Sequence, residues 1–303
     1  MKRCVLFAGQ SVQEQGMCKE LWKLPAAREI LVRLTPFIGE DLERVSTDMP
    51  DAELALTFNA QRAIHAHHLG HWFAYKRKHP EDELDGAVGH SMGVVAALTV
   101  AGAISVEDSG KFIRARAEAF SEVCKSFKEP QGLAAVTTDD FQDVVDEIGQ
   151  FPGVSVALWN TKSRGTLGGT VAALEAFARK ADEEGWPVKV KVLKVEGPYH
   201  TKAFSPCKDK LRAAAAAIEI KAPSVPVFMG TSGRAETDPA RIRTLLVDQA
   251  DSQEKHLAAV QAAHAAGCRS FLEVARKPQP VTWLKDQLDG DYEAVPVETA
   301  ALA

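Results

Sequence analysis

Val88-Gly89-His90-Ser91-Met92-Gly93 sets a serine between two glycines in a G-x-S-x-G pattern, the spacing of a nucleophile held on a sharp strand-to-helix turn. Such a turn strains the serine backbone and crowds its neighbours, so flanking residues without side chains are required, and Gly89 and Gly93 meet that need. The helix that starts there aims free N–H groups and the positive end of its dipole at a carbonyl under attack. The Met92 N–H is then a natural donor to the oxyanion. A hydroxyl nucleophile also needs a base, and nine histidines are available. Four of these, His65, His67, His68 and His71, crowd one helical stretch, and His67 and His71 could share a face as metal ligands. No carboxylate or third ligand sits at a confirming spacing, so they read as surface or packing residues and no metal is expected.

Further landmarks surround that serine. Phe7-Ala8-Gly9-Gln10, with Gln13 and Gly16-Met17 after it, matches an opening F-P-G-Q-G-S-Q-x-x-G-M in spacing, with Ala8, Ser11 and Val12 as substitutions. Arg116 lies within Arg114-Ala115-Arg116-Ala117, His200 ends Pro198-Tyr199-His200, and Gln249 ends Leu246-Val247-Asp248-Gln249. With the Gly-His-Ser-Met-Gly elbow, these resemble the motifs of the malonyl-CoA:acyl carrier protein transacylase family over nearly the whole chain. Gln61 in Asn59-Ala60-Gln61, and Asn160 with Gly169, resemble its weaker signatures. Val94 and Val95, Arg164, Gly230 where an asparagine is common, and Ala275-Arg276-Lys277 in place of Gly-Pro-Gly depart from the pattern.

The resemblance implies a role for each position. Ser91 is the nucleophile and His200 its base. The Gln249 backbone carbonyl orients the imidazole, and the backbone N–H groups of Gln10 and Met92 form the oxyanion hole. Arg116 grips a malonyl carboxylate through two parallel hydrogen bonds, while Gln61, His90 and Asn160 line the substrate site. The implied reaction moves malonyl from coenzyme A to the phosphopantetheine thiol of an acyl carrier protein, with no bound cofactor. The departures leave the reaction type intact and bear on acyl choice. Alternatives are transfer of an unusual acyl group, carrier-to-carrier transfer, hydrolysis of acyl groups stalled on carrier proteins, and a non-catalytic carrier-docking scaffold.

Several elements must hold these residues. The apolar runs Cys4 to Ala8, Asp85 to Gly89 and Val225 to Met229 have strand length, and helical periodicity fills 60–76, 94–128 and Leu211 to Ala217. Such alternation predicts an α/β domain with a parallel sheet, like that of an α/β-hydrolase. Between 131 and 195 the order becomes strand (Gly132 to Thr137), helix (Asp139 to Gly149), strand (Val154 to Trp159), strand (Thr166 to Gly169), helix (Val171 to Gly185) and strand (Val188 to Val195). That β-α-β-β-α-β order predicts a ferredoxin-like subdomain at 131–195, inserted in a large catalytic subdomain of 1–130 and 196–303, with a cleft between them.

The 303 residues are 46% hydrophobic and 25% charged, enough for a globular core. A formal net charge of −5 argues against nucleic acid as a partner. Five scattered cysteines without a metal-ligand spacing read as free thiols, and the first apolar run is too short for a signal peptide. A cytoplasmic protein with no membrane association is expected.

Overall fold

The computed structural model describes residues 1–302. Among the described residues, ten strands make two sheets. In the first run β1 (Lys2–Phe7) and β2 (Gly86–Gly89); the second sheet holds β3 (Gln131–Thr137), β4 (Val154–Trp159), β5 (Arg164–Thr170) and β6 (Lys189–Val192). The first sheet then resumes with β7 (Val227–Met229), β8 (Arg234–Glu236), β9 (Cys268–Ala275) and β10 (Glu293–Glu298). Its order is β10-β9-β1-β2-β7-β8, parallel except for β8.

Central strands of a parallel sheet are covered on both faces, and alternate residues go to opposite sides. Val5, Phe7 and Ala87 join the larger core, whereas Cys4, Leu6, Val88 and Phe228 join a second core across the sheet. The Thr57–Lys78 helix is buried on most of its circumference, and it packs against the Val106–Ser126 helix. The run read as one helix over 94–128 is two, Gly93–Val100 and Val106–Ser126. Gly102 turns the chain between them at φ +75°, and Ser105 caps the second helix by accepting the Asp108 N–H at 3.0 Å.

The second sheet is antiparallel in the order β4-β5-β3-β6, with helices Phe141–Glu147 and Val171–Glu183 on one face. The α/β expectation with a separate antiparallel unit therefore holds. Phe141, Val144, Leu174 and Phe177 form its core, and the Phe141 ring lies over Gly165, where a Cβ would come within 1.8 Å. Phe177 is fully buried, its ring 4.9 Å from that of Phe151. Phe177→Ala is expected to cost about 4 kcal/mol in chemical denaturation; a loss under about 1 kcal/mol would contradict this packing. Among the described residues, no helix is long and apolar enough to cross a membrane.

Candidate active site

Ser91 follows β2 and precedes the Gly93–Val100 helix, at φ +51°. That left-handed backbone is unusual for serine and marks a strained turn. Neighbouring backbone explains both glycines. A Cβ on Gly89 would lie 2.0 Å from the Val94 nitrogen, and one on Gly93 would lie 2.5 Å from the Phe7 carbonyl oxygen. The elbow thus packs against the end of β1, which brings Gln10 to the serine. Both lie at the carboxyl ends of adjacent central strands, where open α/β sheets bind ligands.

The Ser91 Oγ is 2.7 Å from His200 Nε2, and His200 Nδ1–H donates to the Gln249 carbonyl at 2.9 Å. With Nδ1 protonated, Nε2 is free to accept the serine proton. His200 also has positive φ, +63°. Burial, aided by the charge of Arg116, pushes its pKa down to about 3, so the ring is neutral at physiological pH. Gln249 does more than accept from His200: its side-chain Nε2 donates to the Ser91 carbonyl at 2.9 Å, and its Oε1 accepts from Arg116 at 3.3 Å. The Gly93 N–H is occupied by the His90 carbonyl and the Ser91 N–H by Glu254. The Met92 N–H between them has no such acceptor among the described residues, nor does the Gln10 N–H.

A cleft of 360 Å³ opens above Ser91 and His200. One side carries Gln10, His90 and Trp283, the other Leu133, Asn160 and Lys194 from the second sheet's segment. His90 Nε2 meets Asn160 Oδ1 at 2.9 Å across it, so these two sequence-derived positions stand together. Arg116 and Gln61 do not line the cleft. Arg116 is buried behind Gln249 with its guanidinium 4.1 Å from the centre of the Phe120 ring, and Gln61 is buried with no partner for Oε1 among the described residues.

The histidine cluster is buried rather than at the surface. His65 meets Ser109 Oγ at 2.8 Å, His71 bonds the His67 carbonyl and Thr299, and His67 Nε2 accepts the Arg276 N–H. Among the described residues, no group of three His, Cys, Asp or Glu is placed to hold a metal ion. Sequence reading passed over Trp283 and Glu254. The first packs edge-on against His90, ring centroids 5.5 Å apart, and nothing in its local sequence marks it. The second had an indirect signal in Gly230, since a glycine replacing a common asparagine leaves space for something else.

A serine on a strained elbow, a neutral oriented imidazole and two amides without an acceptor among the described residues are the parts that nucleophilic acyl transfer needs. The chain belongs to the acyl transferase domain family, which it matches over residues 5–303, and it is an acyltransferase. It is 30% identical over 280 residues to the malonyl CoA-acyl carrier protein transacylase of Bacillus subtilis, covering 90% of this chain and 86% of that one. Identity to the protein of the same name from Mycobacterium tuberculosis is 29% over 251 residues, 81% and 80% of the two chains. Two solved structures superpose closely. The acyl-carrier-protein S-malonyltransferase of Burkholderia pseudomallei is 27% identical with TM-score 0.90, over 100% of this chain and 98% of that one. The malonyl-CoA:acyl carrier protein transacylase of Xanthomonas oryzae is 26% identical with TM-score 0.91, over 99% and 97%.

Proposed function

We propose that this acyltransferase moves a malonyl group from coenzyme A to the phosphopantetheine thiol of an acyl carrier protein through an ester on Ser91. The observation that carries the reading is the continuous chain Ser91 Oγ, His200, Gln249 carbonyl at the floor of the cleft; the names of the relatives support the acyl group and the carrier. In the first half-reaction His200 Nε2 takes the Ser91 proton as Oγ attacks the thioester carbon. The Gln10 and Met92 N–H groups hold the oxyanion, and collapse expels the coenzyme A thiolate, which takes the proton from His200. In the second, the carrier thiol gives its proton to His200 and attacks the ester carbon, and Ser91 leaves with that proton.

Arg116 supports the choice of a dicarboxylyl group. A guanidinium has five N–H donors, and this one makes a single long bond to Gln249, so it has donors in reserve for a carboxylate that displaces the glutamine oxygen. His90 and Asn160 are read as lining the acyl site and Gln61 as backing it. We also read 131–195 as a small subdomain roofing the cleft over a catalytic unit of 1–130 and 196–303, a division supported by the two separate sheets. No cofactor is resident in this reading, since coenzyme A and phosphopantetheine arrive with the substrates. A cytoplasmic location is supported by the five cysteines scattered along the sequence without a paired spacing.

Intact mass after mixing with malonyl-, methylmalonyl-, acetyl- or a longer acyl-CoA tests the reading. The expected result is a malonyl adduct that persists until a phosphopantetheinylated carrier is added and then passes to it. An adduct with a different acyl group alone replaces the substrate, and loss to water without a carrier makes the protein a hydrolase. Arg116→Ala is expected to cut malonyl loading about 100-fold while acetyl loading persists, as the loss of about 3 kcal/mol of charged hydrogen bonding requires. An unchanged malonyl-to-acetyl ratio would remove Arg116 from substrate recognition.

A further inference from the structure

Glu254 lies between the short helical turn Gln249–Asp251 and the His256–Ala265 helix, and it is wholly buried. Its backbone pairs with β4 of the second sheet: the N–H donates to the Ala157 carbonyl at 2.9 Å, and the carbonyl accepts from Trp159 at 2.8 Å. Any residue could make those bonds, so they do not account for a carboxyl there. The side chain turns beneath the nucleophile, where Oε1 accepts the Ser91 N–H at 3.2 Å and Oε2 has no partner among the described residues. Gly230 provides the room, since a Cβ at that position would come within 1.8 Å of Oε1. A half-satisfied buried carboxyl behind a nucleophile is costly to keep and calls for a use.

The opposite charge is Arg116, equally buried, with the Gln249 amide bonded both to it and to Ser91. Each of the two charges favours the charged form of the other. The other titratable groups around them carry no charge at neutral pH: burial holds His200, His90 and His256 in the neutral form and keeps the Cys207 thiol protonated. Asp251, on the same segment, is paired with Lys208 and Lys202. Arg116 and Glu254 therefore set the net charge of this interior.

We propose that Glu254 positions Ser91 and is the resident counter-charge of Arg116, so that loading a dicarboxylyl group takes up one proton at Glu254 while loading acetyl takes up none. The inference rests on the reading of Ser91 as nucleophile and Arg116 as carboxylate holder. A second anion beside a single buried cation is relieved by protonating one carboxyl, and Glu254 is the one that has lost solvent. The transfer itself conserves protons, because thioester plus hydroxyl become ester plus thiol. The extra proton comes from solvent and ends on the Glu254 carboxyl. Burial raises that carboxyl to about 7, so above neutral pH it is ionised in the empty site and ready to receive the proton.

The ratio of malonyl to acetyl loading cancels the steps common to both donors. In the wild type this ratio is expected to fall by about tenfold per pH unit above about pH 7, the slope for one linked proton. Glu254→Gln keeps an oxygen for the Ser91 N–H and drops the charge. It is expected to flatten the profile and raise the ratio at about pH 8.5 by roughly tenfold or more. A second measurement needs no variant: wild type mixed with each donor in weak buffer containing a pH indicator, about one pH unit above neutrality, takes up one proton per malonyl adduct and none per acetyl adduct. A flat wild-type ratio, an unchanged slope in Glu254→Gln, or equal proton counts for both donors overturns the counter-charge role. A wild type that forms no malonyl adduct on Ser91 overturns the function reading as well, and the mass spectrum separates the two failures.

Discussion

Ser91→Ala is expected to show no mass change with malonyl-CoA, and transfer to the carrier is expected to fall by a factor on the order of 10⁴ to 10⁶, the usual loss when an acyl-transfer nucleophile is removed. The fold should survive the change. The bonds that hold the elbow use the Ser91 backbone: its N–H to Glu254 and its carbonyl from Gln249. Alanine keeps both, and it meets the same backbone strain at φ +51° as serine does. Only the bond from Oγ to His200 is lost, which limits the stability change to about 1 kcal/mol. Intact mass and a thermal melt on the same sample check both halves. A full-yield adduct in Ser91→Ala would place the ester on another residue.

In the proposed mechanism His200→Ala removes the base while leaving Ser91 and the Gln10 and Met92 N–H groups in place. Loading is expected to slow by about 10⁴-fold or more, read as the rate of adduct formation under single turnover. Added imidazole should restore part of that rate, because the truncation leaves a buried space beside Ser91 Oγ with the Gln249 carbonyl still able to accept a ring N–H. Rescue by imidazole distinguishes a lost base from a disturbed fold. The pH profile adds an independent reading. Burial and the Arg116 charge push His200 down to about 3, so the imidazole is already the free base well below neutrality. Wild-type acetyl loading should be level from about pH 5 to 8, whereas a descending limb near pH 6.5 would belong to a solvated histidine.

The local geometry of the serine elbow was legible in the chain itself. Gly89 and Gly93 are demanded by contacts within a few residues and by the end of β1, so a five-letter pattern with a strand before it and a helix after it specifies the elbow. The second sheet was equally legible, because β4 and the Val171–Glu183 helix announce themselves by periodicity. Three of the six strands of the first sheet were read from apolar runs, and two of the others offered no such signal. β8 is three largely exposed residues, and β10 is an exposed edge containing Pro296, so neither has the apolar run that marks a buried strand. The pairing of His200 with Ser91 was legible only through resemblance, since no local rule ties residues so far apart along the chain.

Glu254 marks the limit most clearly. Asp251-Ser252-Gln253-Glu254-Lys255 is an unbroken run of polar residues with nothing to mark one of them as interior, yet the Glu254 carboxyl is buried against Gly230 and under Ser91. For the four clustered histidines the sequence left surface and packing open, and the structure encloses them on nearly every side as packing residues. By itself the sequence determined what depends on neighbours along the chain: the strand, the strained turn and the order of elements that makes two sheets. Only the tertiary structure decided which polar groups lose water and which charges they face. Desolvation and charge compensation are properties of groups drawn together from distant segments, and here they decide the protonation of His200, the spare donors of Arg116 and the counter-charge beneath the nucleophile.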